Sequence, residues 1–463
     1  MGLNPIAGEI VPIPVDAARV TAFGRVLSTY QYARNLLASS LVRRSAVYTA
    51  SQSLSALTNF ILLPVLTRYL SLADYGIIET FLAVVMLLTG VIGLGTNTSL
   101  TKDYFKLQEQ DRSVYIGNSF GLIGAAGLLI SGALIIRPTN ALVADWLKIP
   151  AAAVAAIGVV AFAKAAISLT QTLFQLQRRA KTYALFTNSL TVGELLLSIV
   201  LIAGLGLHWS GRLLGIVPSY TVAALITFIW LKRSGLLQVL PLKFDGAILK
   251  SALPLVVAHV SGWSTVMADR LIVSHLLGPG ATGLYALGPR FAMVIMLFQT
   301  SFSLAWLPFF YENLAKNTRE AEIRIVKATY LYSLGLISFS LMYGVFSRFL
   351  LYVMVDKRFY GASNYIFLLS LAYCADGIWK LFLGYLLHHD KATTYALILC
   401  VASVIDVGLN FALVLHFGPI GAAWGTLVSL VFGMIATIFA AAKLHKMPWS
   451  AVFWWKNQQG AAG

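Results

Sequence analysis

Apolar residues run in long blocks along this chain, and most charged positions fall in the gaps between them. Twelve blocks can be drawn, at 46–68, 77–100, 117–136, 151–174, 184–206, 213–231, 251–276, 284–307, 328–347, 363–386, 395–415 and 421–441. Each is near the ~20 apolar residues that let a helix cross a bilayer. None has the short strict alternation of a membrane-barrel strand. The pattern predicts an all-α integral membrane protein with twelve transmembrane helices. The longest gaps expected on the outer side, 137–150 and 348–362, are too short for a folded catalytic domain.

The blocks also repeat. Thr182-Tyr183-Ala184-Leu185 returns as Thr394-Tyr395-Ala396-Leu397, and eleven positions after each tyrosine stands an acid, Glu194 or Asp406. The same offset of 212 carries Lys164 onto Asp376, while Gly211, Gly215 and Ser219 recur 210 positions later as Gly421, Gly425 and Ser429. These matches predict two pseudo-symmetric six-helix lobes, 46–231 and 251–441. Six is even, so both lobes enter from one side and the repeat is parallel, a build of secondary transporters with the substrate site between the halves. The linker 232–250 carries the turn formers Pro241 and Asp245-Gly246. A basic segment, 1–45, and a tail, 442–463, complete the chain.

Charge sets the orientation. Charged residues are only 11% of the chain, less than half the share of a soluble domain, yet the net charge is +16. With residue 1 in the cytoplasm, inside segments hold 23 of the 34 Lys and Arg and outside segments hold seven, including Arg68, Arg137 and Arg212. That bias is the positive-inside rule. It assigns both termini to the cytoplasm of a multi-pass inner-membrane protein and makes nucleic acid an unneeded explanation of the basic balance. Residues 1–45 lack the apolar core of a signal peptide; Ala17 to Arg44 suits either an interfacial amphipathic helix or a basic tail. Trp449, Phe453, Trp454 and Trp455 suit a second interfacial anchor. Cys374 and Cys400 fall within spans, so neither a disulfide framework nor a cysteine metal site is implied.

Two stretches resemble a known family. "LTNFILLPVLTRYLSLADYGIIETF" at 57–81 looks like the first-span region of polysaccharide-type flippases of the multidrug/oligosaccharidyl-lipid/polysaccharide exporter superfamily. "LPLVVAHVSGWSTVMADRLIVSHLLGPGATGLYALGPRF" at 253–291, followed by "AWLPFFYE" at 305–312, is similar to that family's second-lobe entry. The resemblance implies a V-shaped pair of six-helix lobes, a cleft lined by spans one, two, seven and eight, and export of a lipid-linked oligosaccharide by alternating access.

A charge at the centre of a membrane helix costs about 2.5–3.5 kcal/mol on insertion scales, so each deep one needs a partner or a use. Lys164 and Glu194 have opposite signs at one depth and are expected to form a structural ion pair. Asp376 and Asp406 hold the matching positions of the second half, with Lys380 one turn after Asp376. They are expected either to pair locally or to bind a coupling proton or sodium ion, since close like charges do not both stay bare. Toward the outer side lie Arg68, Glu79, Asp269, Arg270 and Arg290. Guanidinium groups match phosphate oxygens with paired donors, which makes Arg270 and Arg290 the main substrate candidates, with Asp269 as orienter and Arg68 also readable as an end charge.

No nucleotide-binding loop is present, so an ion gradient, the membrane potential or the substrate gradient must drive transport. His388-His389-Asp390 stands alone in a loop, and His259 reads as a packing residue; no metal, cofactor or catalytic role is expected. The reading is a flippase moving an undecaprenyl-pyrophosphate-linked glycan from the inner to the outer leaflet amid membrane lipid, alongside polysaccharide polymerase and chain-length proteins. A drug or metabolite antiporter of the same superfamily is the alternative. A membrane polymerase or glycosyltransferase lacks the large loop it needs here, and a channel does not need two similar halves.

Overall fold

A computed structural model of the chain describes residues 60–237 and 246–450, with scattered positions between 47 and 58. The basic segment 1–45, part of the first expected span, the linker core at 238–245 and the tail from 451, with Phe453, Trp454 and Trp455, lie outside the described residues. The described chain is nearly all helix: α1 (Leu63–Tyr69), α2 (Leu72–Gly93), α3 (Thr96–Asp103), α4 (Glu109–Ile135), α5 (Arg137–Leu147), α6 (Ala151–Leu176), α7 (Ala180–Ile199) and α8 (His208–Arg233) come first. Then follow α9 (Gly246–Trp263), α10 (Asp269–Leu277), α11 (Pro279–Ala315), α12 (Arg319–Met354), α13 (Ser363–His388), α14 (Ala392–Phe417) and α15 (Pro419–Leu444). Ten helical segments among the described residues are long and apolar enough to cross a membrane.

Local chemistry sets the element ends. Ser71 caps α2: its hydroxyl accepts from Asp74 N at 3.1 Å while Asp74 accepts from Ser71 N at 3.0 Å, a capping box. Between α10 and α11, Gly278 takes φ +82° and Pro279 starts the next helix, because glycine enters that region without a Cβ penalty and proline suits a first turn.

Three features depart from the hydropathy reading. The connection at 137–150 is largely helix, opened by Pro138 in its first turn. Helices α11 and α12 run 37 and 36 residues, far past their apolar blocks, because a helix satisfies its own backbone and continues into water where the side chains turn polar. The seventh block is interrupted by a π turn at Ser264–Ala268.

Helices α2, α4 and α8 pack on α6, and α11, α12 and α15 pack on α13. The contact between these groups runs along α2 and α11. There a Cβ on Gly76 would fall 1.8 Å from the Pro279 carbonyl oxygen, and one on Gly283 would fall 2.0 Å from that of Leu72. Two glycines bring the backbones together. Tyr75, Phe81, Tyr285 and Phe291, all nearly solvent-free, lie on these two helices.

Candidate functional site

Just below that backbone contact, five of the expected site residues or their partners meet. Glu79 on α2 is 3% exposed. Its Oε1 accepts from Arg290 of α11 through Nη2 at 2.9 Å and Nε at 3.2 Å, a forked donor pair on one oxygen. Its Oε2 faces Arg270 Nε at 3.5 Å, a charge contact without hydrogen-bond geometry. Asp269 accepts from the Tyr285 hydroxyl at 2.6 Å and from the Arg270 backbone N–H at 2.8 Å. Arg270 Nη1 lies 3.3 Å from Asp269 and donates to the Val266 carbonyl at 2.7 Å, an oxygen inside the π turn. Two acids and two arginines thus knit α2 to α10 and α11.

Arg270 is 3% exposed and turns Nη1 to this network, while its buried Nε makes no well-formed hydrogen bond. Arg290, a quarter exposed at its side chain, is the one that reaches open space. It lines a cavity of about 450 Å³ together with Lys164 of α6, Glu194 of α7, Arg212 and Tyr220 of α8, and His259 of α9.

The cavity replaces one expected pair with another. Glu194 accepts from Arg212 Nη1, and the same nitrogen donates to Ser198 Oγ at 2.8 Å. Lys164 instead sets its ammonium 4.5 Å from the centre of the Tyr220 ring, within a distance worth about 0.5–2 kcal/mol as a cation–π contact. Arg212 reads from sequence as an outer end charge. Helix α8 starts earlier, at His208, so Arg212 falls inside its second turn at 5% exposure. His259 packs where α2 lacks a side chain: a Cβ on Gly90 would fall 1.9 Å from its ring. The walls therefore hold Lys164, Arg212 and Arg290 against the Glu194 carboxylate, with Glu79 bonded behind Arg290.

The remaining candidates lie elsewhere. Asp376 meets Lys380 at 2.5 Å, and Lys380 also donates to Gln299 at 3.2 Å. Asp406 does not join them; its charged neighbour is Asp269. It is 1% exposed and accepts from Ser429 Oγ at 2.9 Å. Its second oxygen makes no well-formed hydrogen bond, nor do the polar side-chain atoms of Asn410, fully buried one turn on. Arg68 sits apart, at the end of α1. Arg358 donates to the carbonyls of Thr67 and Arg68 at 3.2 Å each and to Asp356 at 2.8 Å, which holds the Asp356 carboxyl below its usual range. His389 Nε2 lies 3.3 Å from His445 Nδ1, with Glu322 3.9 Å beyond; no group of three ligating side chains suited to a metal gathers among the described residues.

Sequence reasoning missed Arg212, Tyr220 and Tyr285. The signal for the first was present: Arg212 lies 18 positions after Glu194, close enough to meet it across a tight antiparallel turn.

The pattern of the family described as Polysaccharide biosynthesis protein matches residues 41–314, more than half of the chain. Lsg locus putative protein 1 of Haemophilus influenzae is 22% identical over 386 residues, covering 80% of this chain and 90% of that protein. An uncharacterised membrane protein of the same organism is 21% identical over 377 residues, 80% of this chain and 89% of its own. Among solved structures, the lipid II flippase MurJ in an inward closed conformation superposes with a TM-score of 0.70 at 14% identity, over 86% of this chain and 87% of that one. An inward-facing multidrug resistance MATE family transporter of the MOP superfamily reaches 0.62 at 14% identity, over 86% and 95%. At these identities the structures establish the fold alone.

Proposed function

The chain belongs to the polysaccharide biosynthesis protein family, and from that premise we propose that it flips an undecaprenyl-pyrophosphate-linked oligosaccharide from the inner to the outer leaflet of a bacterial cytoplasmic membrane. The observation that carries the reading is the cavity bounded by Lys164, Arg212 and Arg290. A diphosphate carries compact negative charge and is expensive to desolvate unpaired. Fixed cations offset that cost, and Glu194 and Glu79 hold two of them in place. The named lipid II flippase that shares the fold supports a lipid-linked cargo. A multidrug resistance MATE family transporter shares the fold as well, but a cation-lined cavity repels the cationic drugs that an acidic one collects.

The architecture we infer is twelve spans in two lobes with both termini inside. Ten are the long helices, and α9 with α10, split by the π turn, supplies one more; the first expected span lies largely outside the described residues. With that orientation, the Gly76–Gly283 contact and the Glu79 network close the outer side, and the cavity waits for cargo from the cytoplasm. Asp406 is the site we assign to the coupling proton or sodium ion. In the first half the acid has Arg212; in the second, the residue 210 positions on is Ala422, and the acid sits with the Ser429 hydroxyl and Asn410 and forms no ion pair among the described residues. Asp376, already paired with Lys380, keeps a structural part.

The test uses the purified protein in nanodiscs with undecaprenyl pyrophosphate as ligand. A hydrogen bond to a charged group contributes about 1.5–3 kcal/mol, so Lys164→Gln should weaken binding about tenfold to a hundredfold and Lys164→Arg should restore part of it. Equal affinity in the Gln variant, together with saturable binding of a cationic dye, would assign the cavity to the antiporter class instead.

A further inference from the structure

On an exposed face of α7 and α8 runs a groove of about 640 Å³. Its α7 wall extends from Thr182 to Leu197 through Leu185, Ser189 and Gly193, positions three or four apart that form one helix stripe. At 1.5 Å per residue the stripe is about 22 Å long. Its α8 wall includes Val222 and Ile226, more than half exposed. The groove shares one residue with the cationic cavity: Glu194 lines both. Only the seam between α7 and α8 separates the two spaces.

That seam is tight at one end and weak further along. A Cβ on Gly215 would fall 2.0 Å from Ser198 Oγ, so the helices touch there. One turn on, α8 contains Pro218 on the groove wall. Proline has no N–H to bond the carbonyl four residues back and its ring crowds that turn, which leaves the helix locally free to bend. The groove extends from the tight contact toward Thr182, away from the Gly76–Gly283 closure.

From this adjacency we infer that the α7–α8 groove is the binding site for the isoprenoid tail of the lipid-linked cargo, and that the tail passes the Pro218 seam while the diphosphate sits among Lys164, Arg212 and Arg290. This rests on the reading of the cavity as a diphosphate site. The occupant is a polyprenyl chain because a cargo whose head is held in the cavity must lead its tail back to hydrocarbon, and this wall has apolar groove on one side and cations on the other. Gly193 contributes to the fit: nothing lies within 4 Å of the place its Cβ would take, so the missing side chain leaves groove rather than packing.

The experiment is photocrosslinking in nanodiscs with undecaprenyl pyrophosphate carrying a diazirine on its tail, mapped by peptide sequencing. Label is expected on 182–197 and 218–226, displaced by excess inorganic pyrophosphate or by unlabelled lipid. Gly193→Phe fills the groove without a backbone clash and should lower that label at least about fivefold while binding of farnesyl pyrophosphate, whose short tail leaves most of the groove empty, changes less than about twofold. Gly408→Phe, another exposed mid-helix glycine with nothing within 4 Å, should leave the label unchanged. Displaceable label that maps to other helices, or a groove labelled equally by a tail-diazirine phosphatidylcholine, overturns the groove and spares the cavity. Label that pyrophosphate does not displace, with no farnesyl pyrophosphate binding, overturns both.

Discussion

Replacing Glu79 by Gln keeps the shape of the side chain and removes the charge that Arg290 and Arg270 share. Glu79 is 3% exposed and accepts two N–H groups from Arg290, at 2.9 and 3.2 Å. Removing one partner of a buried ion pair costs about 3–5 kcal/mol, because the other charge is left uncompensated. Arg290 is a quarter exposed and can turn toward the cavity, so we take the lower limit, about 3 kcal/mol. If that loss falls on the closed outer contact, the ratio of closed to open molecules drops by about two decades. Ser274 reports it: the residue is fully buried, and its hydroxyl donates across to the Leu147 carbonyl at 2.6 Å. With Ser274→Cys as reporter, an impermeant maleimide added from outside should label Glu79→Gln far faster than the parent. The native Cys374 and Cys400 set the background. Equal labelling rates with a lowered melting temperature would refute the reasoning, since Glu79 would then stabilise the fold and not the closed state.

Two further outcomes follow from the same geometry. Gly283→Ala places a methyl 2.0 Å from the Leu72 carbonyl oxygen, so α2 and α11 must part; Ser274→Cys labelling should rise as with Glu79→Gln, and an unchanged rate would mean the backbones have slack. Asp406→Asn should slow cargo transport in proteoliposomes at least about tenfold and flatten its response to imposed proton or sodium gradients, while undecaprenyl pyrophosphate binding in nanodiscs stays within about twofold; a retained gradient response returns Asp406 to helix packing.

The spans were legible because hydropathy records whether a segment leaves water, and the blocks match the long helices to within a few residues at most ends. Hydropathy is silent on which helix faces which. Arg212 therefore reads as a loop charge and Lys164 as the partner of Glu194, although the tight α7–α8 turn delivers Arg212 to that acid instead. The same silence hides the α2–α11 contact, whose signal is two glycines, Gly76 and Gly283, in helices with no obvious relation in sequence. Arg270 shows a subtler limit. Its chemistry suits phosphate, but the π turn presents it with the Val266 carbonyl and Asp269 before any ligand arrives.

The repeated sequence positions differ in their partners. Ser198 and Asn410 stand 212 positions apart, four residues after each acid, and both press on a glycine of the next helix, Gly215 and Gly425. The backbone arrangement around Glu194 and Asp406 is thus alike in the two halves. The charge is not: Arg212 neutralises Glu194, whereas Asp406 has neutral partners, the Ser429 hydroxyl and the nearby Asn410 amide. A buried carboxylate without a cation is costly and gains most from taking up a proton or a small cation. On our reading the duplication has divided the work by this single difference. One copy keeps its arginine and faces an anionic head group. The other lacks the cation and has an acid that an ion gradient can charge and discharge.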